Sequence, residues 1–265
     1  MAEQGLTRAL RILDQLARAG GDLGMAELAE LTRISETTLQ RAIQLLVDEG
    51  YVLKDVSRQR LQIGARSLEL ANAIITNVPF APIVRTILRQ TASLTGETAA
   101  LYRYLQDRGQ AAAVAYHESD RELQYEVSVG EVKPLHAGAS GKAILAFLEP
   151  EIRVDILARH GLQALTDGTV TDPAILEREL EGIRKAGFAI SRGEYLVGAV
   201  GIAAPVRSGH GEVYGSLVIT VPEPAFADSR LAMLSGHVMA AAAKFSRCLG
   251  HVDTSSNAIM AAEQQ

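Results

Sequence analysis

One cysteine, Cys248, is present in 265 residues. A lone thiol closes no intramolecular disulfide and cannot supply a cysteine zinc cage. It reads as a small core residue rather than a reactive thiol. No apolar run approaches the ~18 residues that a membrane-spanning helix requires. The opening residues, MAEQGLTRAL, lack a basic stretch leading into an apolar core. They do not read as a secretory signal, and the cytoplasm is the expected location. A basic excess is missing as well, since 26 Lys+Arg face 31 Asp+Glu for a formal net charge of -5. That argues against strong non-specific binding to nucleic acid. The imbalance is local, however. Residues 1–66 carry nine basic and nine acidic side chains, and the remainder carries 17 and 22. The N-terminal quarter is therefore neutral with clustered arginines, a balance compatible with DNA. Hydrophobic residues make up 48% of the chain and charged residues 22%. That is an ordinary globular composition, enough for one large or two medium domains.

What is present is most informative at residues 34–52, ISETTLQRAIQLLVDEGYV. Leu39, Ile43, Leu46 and Val47 recur at helical spacing and predict one buried stripe. Thr37, Thr38, Gln40, Arg41 and Gln44 fall largely off it. Ser35 reads as the N-cap and Gly50 as the stop. Upstream, MAELAEL at 25–31 predicts a shorter amphipathic helix, with a brief turn at 32–34. Such a pair matches a helix-turn-helix whose second helix enters the major groove. An ordinary surface helix pair would look similar. The next segment favours the first reading: a β-prone run at 51–53, a polar turn at 54–59, then Leu61 and Ile63 alternating with polar residues up to Gly64. This predicts a wing with Arg58 and Arg60 near its tip, where arginines hold phosphate without reading sequence.

A first helix is expected at 6–19, with Leu6, Ala9, Leu10, Leu13, Leu16 and Ala17 on one face. Another is expected at 66–78, presenting Leu68, Ala71, Ile75 and Val78 either to a second copy or to its own domain. Beyond Phe80 the pattern predicts a helix at 81–94, a hairpin of 98–105 and 110–117, and a strand at 124–129. Helices are expected at 141–148, 151–160 and 172–186, the last capped by Asp172 with Pro173 at its first position. Extended runs follow at 188–191, 197–206 and 212–221, then one long helix at 225–249. Helices packed on an antiparallel sheet make an α+β domain. Residues 253–265 are small and polar and read as a frayed tail.

The segment LHAGASGKA, 135–143, fails two familiar tests. A Walker A loop would need glycine where His136 stands and a hydroxyl where Ala143 stands. A nucleophile elbow would need glycine where Lys142 stands. What remains is a small-residue turn entering a helix. It fits equally a carboxylate site on free N–H groups and a turn packed against the sheet. Lys142 would add charge there or, one turn in, point to solvent. His117, Glu118 and Asp120 cluster without metal spacing. His136 reads as a hydrogen-bonded structural histidine. No nucleophile, base and orienter can be assembled, and no cofactor is expected.

With those segments in hand, the chain resembles the IclR family of bacterial transcriptional regulators over roughly residues 6–249. The likeness rests on TTLQRAIQLLVDEGYV (37–52), LHAGASGKAILAFL (135–148) and GFAISRGEYLVGAVGIAAPV (187–206), in that order. It implies a winged helix-turn-helix over 1–65, a linker helix over 66–79, a GAF-like effector-binding domain over 80–250 and a tail over 251–265. It also implies a double-stranded operator, a homodimer or homotetramer, and no membrane. The implied effector positions are Ala139, Ser140 and Gly141, then Ser191, Ala199 and Gly201, then Val218 and Thr220, with Tyr125 and Val127 on the wall. Some relatives carry acidic and thiol side chains where Ser191 and Gly201 stand, so this pocket is less polar than theirs. Glu36 stands where relatives often carry a basic residue. The expected effector is a small organic acid and the expected target a catabolic operon. The alternatives are a small-molecule-metabolising enzyme with an appended helical domain, and a constitutive DNA-binding protein whose second domain only oligomerises.

Overall fold

The computed structural model describes residues 2–19, 21–55, 57–76, 81–119, 125 and 127–251, apart from the side chains of 2–4, 72 and 74–76. Contacts divide the chain into two compact units, Met1–Pro79 and Phe80–Gln265. The expected frayed tail, 253–265, and Val78 lie outside the described residues.

The first unit comprises α1 (Ala2–Arg18), β1 (Leu23–Gly24), α2 (Met25–Thr32), α3 (Glu36–Asp48), β2 (Val52–Asp55), β3 (Arg60–Ile63) and α4 (Ala65–Thr76). The three strands form a small antiparallel sheet in the order β1-β3-β2. Its core joins Ile12 and Leu16 of α1, Leu28 of α2, Leu39, Ile43 and Leu46 of α3, and Val52 and Leu61 of the sheet. The face expected for α1 is corrected by about one residue. Ala9, Ile12, Leu13 and Leu16 pack inward, while Leu6, Leu10 and Ala17 are exposed. Ile12 sets the phase, because 9, 12, 13 and 16 is the spacing of one helical stripe. Arg33, in left-handed conformation, ends α2, its N–H reaching the carbonyls of Ala29 and Glu30. Ser35 occupies the N-cap of α3, but its hydroxyl bonds the Thr38 hydroxyl at 3.0 Å rather than a backbone N–H. Gly50, at φ +76°, turns the chain towards β2.

The second unit opens with α5 (Ala81–Thr95) and contains β4 (Thr98–Leu105), β5 (Gln110–His117), β6 (Val132–Pro134), α6 (Ala139–Leu145), α7 (Pro150–His160) and α8 (Pro173–Ala186). It closes with β7 (Ala189–Arg192), β8 (Ala199–Arg207), β9 (Val213–Pro222) and α9 (Leu231–Cys248). One antiparallel sheet runs β6-β5-β4-β9-β8-β7. Both faces are covered. Ala99, Leu101, Val200, Ile202, Leu217 and Ile219 pack towards α5 and α9. Ala100, Tyr102, Ala203 and Val218 pack towards α6, α7 and α8. That is why β8 and β9 read as continuous apolar runs, although antiparallel sheets with one wet face alternate.

Two expectations need correction. The strand expected at 124–129 is absent among its described residues, and the edge strand is the three-residue β6, pairing with β5 through Gln110–Pro134 and Ala112–Val132. The long terminal helix begins only at Leu231. Two short 3-10 turns, Glu223–Ala225 and Asp228–Arg230, precede it. Pro224 sits within the first of these turns, and proline removes the N–H that an α-helical ladder would use.

Candidate nucleic-acid interface and ligand pocket

The polar side chains of α3 diverge from its buried stripe as a 3.6-residue repeat demands. Thr37, Gln40, Arg41 and Gln44 are exposed, and Thr38 is half-buried beside Ser35. The Gln44 side-chain amide donates to Asp48 Oδ1 at 2.7 Å, which leaves its carbonyl oxygen outward. Leu45, missed by the sequence reading, is exposed one turn beyond Arg41. The wing tip is organised by Asp55. Its Oδ1 accepts from the Ser57 hydroxyl at 2.5 Å, and from the Arg58 and Ser57 N–H groups at 3.1 and 2.9 Å, which together hold that carboxyl below the usual range. Arg58 is largely exposed, 4.0 Å from Asp55 Oδ2.

Arg60 differs from Arg58. Its guanidinium lies 2.5 Å from Glu27 Oε2 and 3.5 Å from Asp22 Oδ1. Glu27 also accepts the Gly24 N–H at the start of α2, at 2.6 Å. Arg60, opposite Asp55 at the turn end of the hairpin, is therefore tied to Glu27 of α2 and to Asp22, with two carboxylates already on its charge. The two arginines expected to hold phosphate from the wing thus differ: Arg58 is largely exposed, and Arg60 already faces two carboxylates.

The pocket lies in the second unit, between the sheet and the turn entering α6. Strand pairing puts its floor on one face: Ser191 opposite Gly201, Gly201 opposite Thr220, and Ala203 opposite Val218. Ala199, two residues before Gly201, shares that face. Ala139 and Ser140 form the roof, and Tyr125 and Val127 form part of the wall. Gly141 is the exception. A Cβ there would meet the carbonyl oxygens of Pro134 and Leu135 at 2.7 and 2.8 Å, so it serves close packing of the turn. The pocket is small, with a cavity volume of about 70 Å³, and it opens to solvent.

Two of the turn's N–H groups, those of Gly138 and Ala139, are already engaged within the protein. Ala139 N–H donates to Ser191 Oγ at 2.9 Å, and Gly138 N–H reaches Glu194 Oε2 at 3.4 Å. Lys142 does not point to solvent. It is 1% exposed, with Nζ 2.5 Å from both Glu179 Oε2 and Glu194 Oε2. Burial raises the Glu194 carboxyl above its ordinary value, and Lys142 opposes that shift. His136 is buried and donates from Nε2 to the Gln163 carbonyl at 2.9 Å.

Tyr102, Glu131, Lys133, Gly138, Glu194, Tyr195 and Leu196 also line the pocket and were not foreseen. Glu131 immediately precedes the unrecognised β6, and Lys133 is its middle residue. A strand of three residues leaves too short an alternation to detect. Among the described residues no group of three or more His, Cys, Asp or Glu is placed to hold a metal. No described helix is long and apolar enough to cross a membrane.

The description "Bacterial transcriptional regulator IclR C-terminal" matches residues 72–247, and "IclR helix-turn-helix domain" matches residues 5–56. The HTH-type transcriptional regulator BhcR of Paracoccus denitrificans is 30% identical over 243 residues, covering 92% of this chain and 86% of that protein. The acetate operon repressor of Salmonella typhimurium is 27% identical over 247 residues, covering 93% and 90%. A crystal structure of a regulator from Alicyclobacillus acidocaldarius, 26% identical, aligns with a TM-score of 0.84 over 93% of this chain and 99% of that one.

Proposed function

The chain belongs to the IclR family of bacterial transcriptional regulators, and from that premise we propose which residues read the operator and what the pocket senses. Thr37, Gln40, Arg41 and Gln44 face the major groove, and Thr38 holds the start of α3 through Ser35. The exposed polar face of α3 is the observation that carries this reading. Leu45 offers an apolar contact of the kind that recognises a thymine methyl. Arg58 contacts the phosphate backbone from the wing.

Arg41→Ala is expected to weaken specific operator binding by ~1–3 kcal/mol and random DNA less, as a base-reading arginine does. Arg58→Ala, assayed alongside, should weaken both alike and flatten the salt dependence by about one unit of slope. Fluorescence anisotropy on operator and scrambled duplexes across a salt series measures both. Equal losses for Arg41→Ala on the two duplexes would make Arg41 a phosphate contact. No loss at all would remove α3 from the interface.

We further propose that the regulator acts as a homodimer or a pair of dimers on an inverted repeat. Leu68 of α4 is 63% exposed, and Leu6 and Leu10 are exposed on α1. Apolar faces left open in one protomer suit a twofold contact. The Ile75 side chain, expected on the same face, lies outside the described residues, so Leu68 is the better probe. Leu68→Glu should shift the light-scattering mass towards monomer and weaken operator binding together. A folded variant with unchanged mass and affinity would take α4 out of the dimer contact.

The effector is a small organic acid, and the controlled genes form a catabolic operon. Support comes from the pocket's modest size, its apolar walls at Val127, Ala199 and Val218, and a relative named for the acetate operon. The acid changes DNA affinity only through its different affinity for the DNA-competent and DNA-incompetent conformations.

A further inference from the structure

Lys133 is 7% exposed and lines the pocket from β6. Its ammonium sits 3.7 Å from the centre of the Tyr102 ring and 4.7 Å from that of Tyr195. The nearest carboxylate, Glu131, is engaged with the same two tyrosines. Tyr195 Oη donates to Glu131 Oε1 at 2.8 Å, and Tyr102 Oη donates to Oε2 at 3.4 Å. Among the described residues no carboxylate lies within 4.0 Å of Lys133 Nζ, whereas Lys142 has two. An ammonium carries three donors and no acceptor. Two ring faces supply attraction but accept no conventional hydrogen bond. A buried ammonium without an anionic partner is costly to keep. Burial lowers its pKa to about 8, with Glu131 opposing the shift.

A second polar group on the wall is also unfilled. Ser140 is 1% exposed, and its Oγ has no hydrogen-bond partner. Its backbone carbonyl is occupied, accepting from Ser216 Oγ at 2.9 Å. Buried hydroxyls are ordinarily paired, so an orphan on a residue that lines the pocket marks a place that a ligand atom would fill. The pocket thus presents a caged cation and a spare hydroxyl among its lining groups.

We propose that Lys133 is the countercharge of the effector's carboxylate, with Ser140 Oγ as a second polar contact, and that the tyrosine pair and Glu131 hold the ammonium ready for it. The inference rests on the reading of this pocket as an organic-acid site. It moves the anion-recognising group from the turn before α6 to the sheet edge. The acid's apolar body lies on Val127, Ala199 and Val218. Binding would give the buried charge a partner, so the acid stabilises the folded second unit.

The test uses the full-length protein and a panel of aliphatic and aromatic monocarboxylates of two to eight carbons, each with its primary amide, plus inorganic phosphate. Thermal shift screens the panel and calorimetry measures affinities. Wild type is expected to bind at least one acid and not its amide. Lys133→Met should lose about 10- to 100-fold in affinity for that acid, the scale of a hydrogen bond to a charged group. Lys133→Arg should retain most of it. Ligand-free Lys133→Met should melt no lower than wild type, because it deletes an unpaired buried charge. A merely structural lysine would instead lower the melting temperature. Equal binding of the acid by wild type and Lys133→Met overturns the assignment and leaves the pocket reading standing. Equal binding of acid and amide overturns recognition of charge. A Lys133-dependent response to phosphate but to no carboxylate overturns the ligand class. No response to any acid overturns the organic-acid reading itself.

Discussion

Lys142→Met is expected to lower the stability of the second unit by about 3–5 kcal/mol, the cost of removing one partner from a buried ion pair. Lys142 is buried on α6, and both Glu194, itself nearly buried, and the half-exposed Glu179 reach its Nζ. Without the lysine, Glu179 can turn to water, but Glu194 stays buried against the Gly138 N–H. Glu194 would then take up a proton. Its carboxyl is already raised by burial, with Lys142 the chief opposing influence. A carboxyl raised in the folded state binds protons that the unfolded state releases, so stability falls as pH rises through the folded pKa. The defect should therefore be largest near pH 8 and shrink towards pH 5. Urea unfolding followed by circular dichroism at both pH values measures it. Glu194→Gln in the Lys142→Met background should recover part of the loss, because the unpaired charge is gone. A single variant losing under about 1 kcal/mol would mean that the pair contributes little beyond its own desolvation.

This cluster also shows where sequence reading stopped. The α3 stripe was legible because Leu39, Ile43 and Leu46 lie within one helix, where a single repeat decides which side is buried. The hairpin was legible because Asp107 and Gly109 mark its turn, and its strands run Thr98–Leu105 and Gln110–His117 as expected. Asp172 caps α8 as expected, accepting from the Ala174 and Ile175 N–H groups. Lys142 was not legible. Its partners stand 37 and 52 positions away, and an isolated lysine next to glycine looks solvated until those carboxylates are placed. The same holds for Arg60, whose partners Asp22 and Glu27 lie on the far side of α3 in sequence. Small pocket residues were traceable only through resemblance. Ser191, Gly201 and Thr220 become neighbours through cross-strand register, which no local pattern encodes. Lys133 lay beyond both kinds of signal. Its strand is three residues long, and its cage combines Tyr102 from β4 with Tyr195 from the loop after β7.

Gly201→Leu is expected to abolish the response to acid. A Cβ at this position would stand 3.1 Å from Ala139 Cβ and 3.4 Å from Ser191 Oγ, on the side of β8 that floors the pocket. The rest of a leucine must then extend into the space between sheet and turn. Gly201 is not among the glycines with positive φ, so the effect is one of volume rather than backbone strain. Overfilling a packed site costs about 1–3 kcal/mol, so the ligand-free variant should melt somewhat below wild type. The decisive quantity is the shift on adding acid. A ligand at 100 times its dissociation constant stabilises by about 2.7 kcal/mol. For a unit of this size that raises the melting temperature by roughly 5–10 °C. Wild type should show such a shift, and Gly201→Leu should show none at the same concentration. Gly201→Ala, adding only the Cβ, should fall between them by nudging Ser191 away from the Ala139 N–H. A cooperative melt of the ligand-free variant is recorded alongside, because its loss would mean unfolding rather than a filled pocket. An undiminished shift in Gly201→Leu would place the acid elsewhere in the protein, since no ligand can share that volume with a leucine side chain.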